Sequence, residues 1–133
     1  MKNTSVILAD RHPALVESIR ELLDNLFDTV MMVSDEKSLI GTLERLDPNL
    51  IVADLAMPVT RAQNVAALLN EYYPDSKLIV LGNHDETEVT EGLKSMGASG
   101  YILKRSAARD LEKAVGAVIE GGTYFPLTEE GEK

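Results

Sequence analysis

Leu50-Ile51-Val52-Ala53-Asp54-Leu55-Ala56-Met57-Pro58 opens with four apolar residues, meets an aspartate, and closes four residues later on a proline. An unbroken apolar run of this length suits a strand buried on both faces, as in a parallel sheet, rather than a half-exposed strand with alternating polarity. Working outward, similar runs recur at Val6-Ile7-Leu8, Val30-Met31-Met32-Val33, Leu78-Ile79-Val80-Leu81 and Tyr101-Ile102-Leu103.

The intervening segments carry helical period. Leu15, Val16, Ile19, Leu22, Leu23, Leu26 and Phe27 follow a three-and-four spacing that predicts one apolar helix face. Leu39, Ile40, Leu43 and Leu46 predict a second, and Leu111, Ala114, Val115, Val118 and Ile119 predict the last; 61–73 and 86–96 read as helices on a weaker pattern. Pro13 stands where a first-turn proline is tolerated. Thr60 with Gln63, and Asp85 with Glu88, have capping-box spacing or close to it, and Gly97 and Gly121 follow the last periodic residues. Five strand–helix units predict an α/β fold: a flavodoxin-like, doubly wound, five-stranded parallel sheet of order 2-1-3-4-5 with helices on both faces. The expected organisation is one domain over 1–124 and a polar, acidic tail over 125–133, where a linker would begin.

The 133 residues are 44% hydrophobic and 26% charged, which suits a globular domain and excludes a disordered chain. With no cysteine, the core must form without disulfides, and a chain this long can bury one. No signal-peptide pattern follows Met1, and no apolar stretch reaches the roughly 18 residues a membrane span needs, so cytoplasm is the expected compartment. A net charge of −9 repels phosphate backbones and argues against direct DNA binding by these residues.

In the 2-1-3-4-5 order the first and third strands are neighbours, and ligands sit beyond their carboxyl ends at the switch point. Asp10 follows the first strand, Asp54 the third, Gly82-Asn83-His84-Asp85 the fourth and Lys104-Arg105-Ser106 the fifth. Asp10 and Asp54 are therefore expected to face each other with Lys104 nearby. Alone, such an aspartate is more often a turn acid and such a lysine a solvated one; together they form a constellation. A carboxylate can attack phosphorus to form an acyl phosphate, a reaction that calls for cationic help from lysine and normally from Mg²⁺. Mg²⁺ takes oxygen ligands from one or two carboxylates, a carbonyl and water. His12 and His84 have no third nitrogen or sulfur ligand within pattern reach, and read as surface histidines.

Three segments carry a family resemblance: Val6-Ile7-Leu8-Ala9-Asp10 followed by His12-Pro13, Asp54-Leu55-Ala56-Met57-Pro58, and Gly97-Ala98-Ser99-Gly100-Tyr101-Ile102-Leu103-Lys104. With Gly121-Gly122-Thr123-Tyr124-Phe125 after the last helix, the chain resembles the receiver domain of two-component response regulators, more narrowly the LuxR/NarL-type group. The resemblance implies a switch rather than a turnover enzyme. Asp54 would accept a phosphoryl group from a histidine kinase, Asp10 would help hold Mg²⁺ through water, and the Ala56 carbonyl would ligate it. Lys104 would pair with the phosphoryl group, and Tyr101 would be the aromatic that reorients on activation; Tyr101 reads equally as a half-buried edge-strand aromatic. It further implies a possible homodimer through the last two helices, and transcriptional control through a separate DNA-binding domain.

Two positions depart from the family's pattern. Arg11 stands where a second acid is usual, and Gly82 where Thr or Ser is usual, so the hydroxyl for the phosphoryl oxygen is missing unless the Asn83 amide replaces it. Two readings of Arg11 stand side by side. If it clamps Asp54, the pocket is near neutral and Mg²⁺ binding is weakened or lost; if it swings to solvent, chemistry proceeds with fewer metal ligands. The corresponding alternative function is a pseudo-receiver that binds protein partners without phosphorylation. An aspartate-nucleophile phosphatase would need a D-x-D pattern that Asp10-Arg11-His12 lacks, and a flavin binder a Ser/Thr/Gly-rich loop that Arg11-His12-Pro13 lacks.

Overall fold

The computed structural model describes residues 3–83 and 87–125. Five strands, β1 (Asn3–Ala9), β2 (Phe27–Val33), β3 (Leu50–Asp54), β4 (Leu78–Gly82) and β5 (Gly100–Leu103), alternate with α1 (Glu17–Asp24), α2 (Glu36–Arg45), α3 (Val65–Tyr72), α4 (Thr87–Ser95) and α5 (Ala107–Ile119). Pro13–Val16 forms a 3-10 turn before α1, with the proline in its first turn, and Lys104–Ser106 forms another before α5. The sheet is parallel in the order β2-β1-β3-β4-β5, as the apolar runs predict.

Successive strand residues point to opposite faces, and both faces are covered. Ile7, Ala9, Ile51, Ala53, Val80 and Tyr101 pack with Leu39 and Leu43 of α2, Val65, Ala66 and Leu69 of α3, and Leu93 of α4. Val6, Leu8, Leu50, Val52, Ile79, Leu81 and Ile102 pack with Ile19 and Leu23 of α1 and Leu111, Ala114, Val115 and Val118 of α5. This double coverage is why β3, β4 and β5 are buried along their whole lengths and read as unbroken apolar runs.

Several expected boundaries shift. Phe27 begins β2, paired with Asn3, instead of ending the first helix; Asn25 and Leu26 close the helix by donating to Leu22 and Leu23. Leu23 and Phe27 are buried in one cluster with Leu26 packed against it, so their spacing marked a shared core rather than a shared helix. Leu46, expected on the second helix face, is extended and 44% exposed. The third helix begins at Val65, not near 61. Its cap is Asn64, whose side chain accepts from the Ala67 amide at 2.9 Å, whereas Thr60 spends its amide and hydroxyl on Glu36. Asp85, and with it the expected Asp85–Glu88 cap, His84 and the tail from residue 126 lie outside the described residues.

After α5 the chain returns to the sheet. Tyr124 bridges Gly100, the Tyr101 amide donates to the Tyr124 carbonyl at 2.9 Å, and Phe125 packs against the core beneath the Lys94 ammonium, 5.1 Å from its ring centre. No helix among the described residues is long and apolar enough to cross a membrane.

Gly97 and Gly121 have φ of 86° and 98°, the left-handed conformation expected of residues that end helices. At Gly97 a Cβ would also lie 2.6 Å from Asn70 Oδ1. Gly97→Ala is therefore expected to cost about 1–3 kcal/mol, read from the urea midpoint. Asn70→Ala in the same chain should recover only the steric part.

Candidate functional site

The register fixes the site. Ala9 of β1 lies opposite Ala53 of β3, so Asp10 and Asp54, each one residue further on, emerge side by side. Gly82 of β4 lies opposite Leu103 of β5, which brings Lys104 to the same end of the sheet. Asp10 is 1% exposed and Asp54 3%. The Lys104 ammonium reaches both, 2.9 Å from Asp10 Oδ2 and 3.4 Å from Asp54 Oδ2.

Each carboxylate is held in the same way. Asp10 Oδ1 accepts the His12 amide at 2.8 Å, and Asp54 Oδ1 accepts the Ala56 amide at 3.0 Å. In both cases an aspartate side chain bonds the backbone two residues on, the Asx turn that favours this residue at strand ends. One oxygen of each acid is thus committed to its own loop while the other faces Lys104. Burial works against a charged ammonium, yet the Asp10 hydrogen bond and the two carboxylate charges outweigh it and raise the Lys104 pKa above 10.5.

Arg11 is exposed and makes no ion pair with Asp54 among the described residues, which is the outward one of its two readings. Its backbone is carried outward in the turn that Asp10 closes on His12, and Lys104 already occupies the inner side of the carboxylates. Two carboxylates facing one ammonium leave one net negative charge, not the neutral pocket that an inward Arg11 would give. His12 is exposed. Asn83 is exposed too, and its carbonyl accepts from Arg105 Nη1 at 3.4 Å.

Gly82 and Tyr101 prove to be one feature. Tyr101 is 1% exposed rather than half-buried, and its ring fills the space a side chain at 82 would take. A Cβ on Gly82 would lie 2.7 Å from Tyr101 Cζ and closer to Cε1 and Oη. A residue that the sequence reading passed over, Glu36, binds the loop after Asp54: its carboxylate accepts from the Thr60 amide, the Thr60 hydroxyl and the Arg61 amide. Nothing in the spacing of one glutamate at a helix start signals this contact, because its partners lie 24 and 25 residues away.

The donors present fit a divalent cation of the Mg²⁺ kind. Asp10 Oδ2 is buried and, among the described residues, has the Lys104 ammonium beside it at 2.9 Å and no other donor, and the metal-binding atoms of the two acids are oxygens. No cluster of three or more acidic, histidine or cysteine side chains exists among the described residues. A metal here would therefore rest on Asp10, Asp54, a backbone carbonyl such as that of Ala56, and water.

Comparison with known proteins accords with this geometry. The profile of the response regulator receiver domain family matches residues 6–116. The chain is 34% identical over 123 residues to the transcriptional regulatory protein DegU of Brevibacillus brevis, covering 90% of this chain and 52% of that one. It is 29% identical over 131 residues to the transcriptional regulatory protein RcsB of Escherichia coli strain K12, covering 95% and 61%. The isolated receiver domain of RcsB from Salmonella enterica serovar Typhimurium, solved with the phosphomimetic BeF3-, superposes with a TM-score of 0.82 at 28% identity over 94% of both chains. The chain thus spans between half and two thirds of the two regulators' lengths.

Two expectations follow from charge and space. Lys104→Met strands two buried carboxylates and is expected to lower stability at neutral pH by about 2 kcal/mol, below the roughly 3–5 of a fully buried pair because a quarter of the lysine is exposed. Asp54→Asn removes the surplus charge and should be neutral or stabilising by about 1 kcal/mol without divalent cation. Because the Lys104 pKa is raised, its contribution is complete below the unfolded value and lost as pH rises through the folded one. The gap in urea midpoint between wild type and Lys104→Met should accordingly persist at neutral pH and narrow only as the pH rises beyond the ordinary lysine range. Gly82→Ser should expel the Tyr101 ring from its seat, read as a rise in tyrosine accessibility to a fluorescence quencher.

Proposed function

The chain belongs to the response regulator receiver family, and from that premise we propose that it is a phosphoacceptor module in which Asp54 receives a phosphoryl group from a histidine kinase. The observation that carries this reading is the convergence of Asp10, Asp54 and Lys104 at one mouth of the sheet, two nearly buried acids sharing one cation.

Between the two acids, Asp54 is the better nucleophile. Lys104 grips Asp10 more closely, at 2.9 Å against 3.4 Å, which leaves the Asp54 Oδ2 lone pairs freer. Its other oxygen is fixed by the Ala56 amide, so the carboxylate is oriented before a donor arrives. In the transfer, Asp54 Oδ2 forms a bond to phosphorus as the bond from phosphorus to the donor's histidine nitrogen breaks. The imidazole leaves with that electron pair and regains a proton. Lys104 stands where it can follow the new charge on the phosphoryl oxygens. Asp10, Asp54 and the Ala56 carbonyl would hold Mg²⁺, which when bound would add to the neutralisation of those oxygens.

Mg²⁺ affinity is expected to be below that of a three-acid pocket, because Arg11 contributes no carboxylate, yet above that of a neutral one, because Arg11 lies outside. Gly82 offers no hydroxyl to the phosphoryl group, and this favours the second reading, a pseudo-receiver that signals through protein contacts alone. Output through a separate DNA-binding domain accords with relatives named transcriptional regulators, of which this acidic chain spans only part. A homodimer belongs to the same reading.

Incubation with acetyl phosphate across a Mg²⁺ titration, followed by intact mass, tests the proposal. One phosphoryl adduct should appear with Mg²⁺ and vanish in Asp54→Asn, and Arg11→Asp should lower the Mg²⁺ required. No adduct at any Mg²⁺ concentration would leave the pseudo-receiver reading in its place.

A further inference from the structure

The loop between Asp54 and α3 spans residues 55–64 and contains no glycine, yet it must hold the Ala56 backbone at a set place beside the carboxylates. Its near end is secured locally. The Leu55 amide donates to the Leu81 carbonyl at 2.9 Å, the Ala56 amide to Asp54 Oδ1 at 3.0 Å, and the Met57 amide to the Asp54 carbonyl at 3.0 Å. Met57 is buried, and Pro58 restricts the backbone that follows. Beyond Val59 the loop turns away towards Asn64, the cap of α3.

At that turn a single side chain takes three donors. Glu36 Oε1 accepts the Thr60 amide and the Thr60 hydroxyl, each at 2.9 Å, and Oε2 accepts the Arg61 amide at 3.3 Å. These bonds hold the Glu36 carboxyl below its ordinary pKa, the Thr60 amide first among them. Glu36 is itself rigidly placed. It opens α2, directly after Asp35, whose side chain caps the helix by accepting the Ser38 amide at 2.8 Å. Three residues earlier, the Val33 carbonyl accepts the Asp10 amide at 3.0 Å. The chain from Val33 to Glu36 therefore bonds the backbone of Asp10 at one end and the loop of Asp54 at the other.

We propose that Glu36 is a positioning residue for the site: by clasping Thr60 and Arg61 it fixes the loop that carries the Ala56 carbonyl and sets that loop against Asp10. This rests on the phosphoacceptor reading. Glu36 touches neither acid nor Lys104, so its influence passes through the backbone of 55–61 and through the segment it shares with Val33. Where a loop lacks the glycines that would let it fold tightly on itself, a clasp from a neighbouring helix supplies the missing order.

The test compares wild type with Glu36→Ala and Glu36→Gln in two measurements. In the acetyl phosphate assay, Glu36→Ala should raise the Mg²⁺ concentration for half-maximal rate about tenfold, the lower end of what loss of an outer support costs a metal site. The rate at saturating Mg²⁺ should change less. Glu36→Gln keeps a carbonyl oxygen for Thr60 but cannot hold all three donors, so it should fall between. A merely structural role would lower the melting temperature and leave the Mg²⁺ midpoint in place, and that result would overturn the inference. The second measurement is amide hydrogen exchange without metal, in which Ala56 and Met57 should exchange faster in Glu36→Ala while the β3 and β4 amides keep their protection. If wild type takes up no phosphoryl group, the phosphoacceptor reading falls and exchange alone decides the clasp; unchanged rates at 56 and 57 would overturn it.

Discussion

Placing two carboxylates side by side at the centre of a parallel sheet is electrostatically costly, and much of the molecule is arranged around that cost. Asp10 and Asp54 meet because β1 and β3 are adjacent and in register through Ala9 and Ala53. Both acids are almost wholly buried, where water screens them poorly and like charges a few ångströms apart repel by several kcal/mol even at an effective dielectric constant of about 20. Lys104 arrives from β5 and offsets one of the two charges. The remaining negative charge is the property on which a binding function can be built, since it favours a cation beside the two acids.

The local bonds divide the work within each acid. One oxygen of Asp10 and one of Asp54 are held by amides two residues on, which fixes the carboxylate planes and leaves the second oxygen of each for exchangeable partners. This division means that the Lys104 contact can be exchanged in part without unravelling either loop. The same logic reaches outward, because the loop after Asp54 is tied at its near end to Asp54 and Leu81 and at its far end to Glu36.

Arg11 and Gly82 affect different physical quantities. Arg11 adds a charge, but its turn carries it to the surface, so the pocket keeps its net negative sign. Gly82 removes a side chain, and the vacated volume goes to the Tyr101 ring, which lies buried against the end of β4. Tyr101 is also tied through its amide to Tyr124, so its backbone is bonded to the segment that leaves α5. The aromatic at the site and the segment that follows α5 are thus directly bonded.

Elements whose partners lie nearby in sequence were legible there. Apolar runs with no polar break suit strands covered on both faces, as β3, β4 and β5 are, and their alternation with helical periods leaves few topologies; the strand order, the placement of Asp10, Asp54 and Lys104 at strand ends and the glycines at 97 and 121 accord with that pattern. Periodicity at Phe27 reported a shared core and not a shared element, so it read as helix; at Leu46 the helix has already ended in extended backbone, and the spacing no longer carries the side chain inward. Capping spacing likewise reports capability, and Thr60 was drawn away by an acceptor 24 residues distant. Only the folded chain decided that Arg11 faces solvent, that Tyr101 occupies the space of Gly82, and that Glu36 clasps the loop beside Asp54. Each of these is a competition among side chains for one place, and such competitions are settled by distances that sequence separation does not encode.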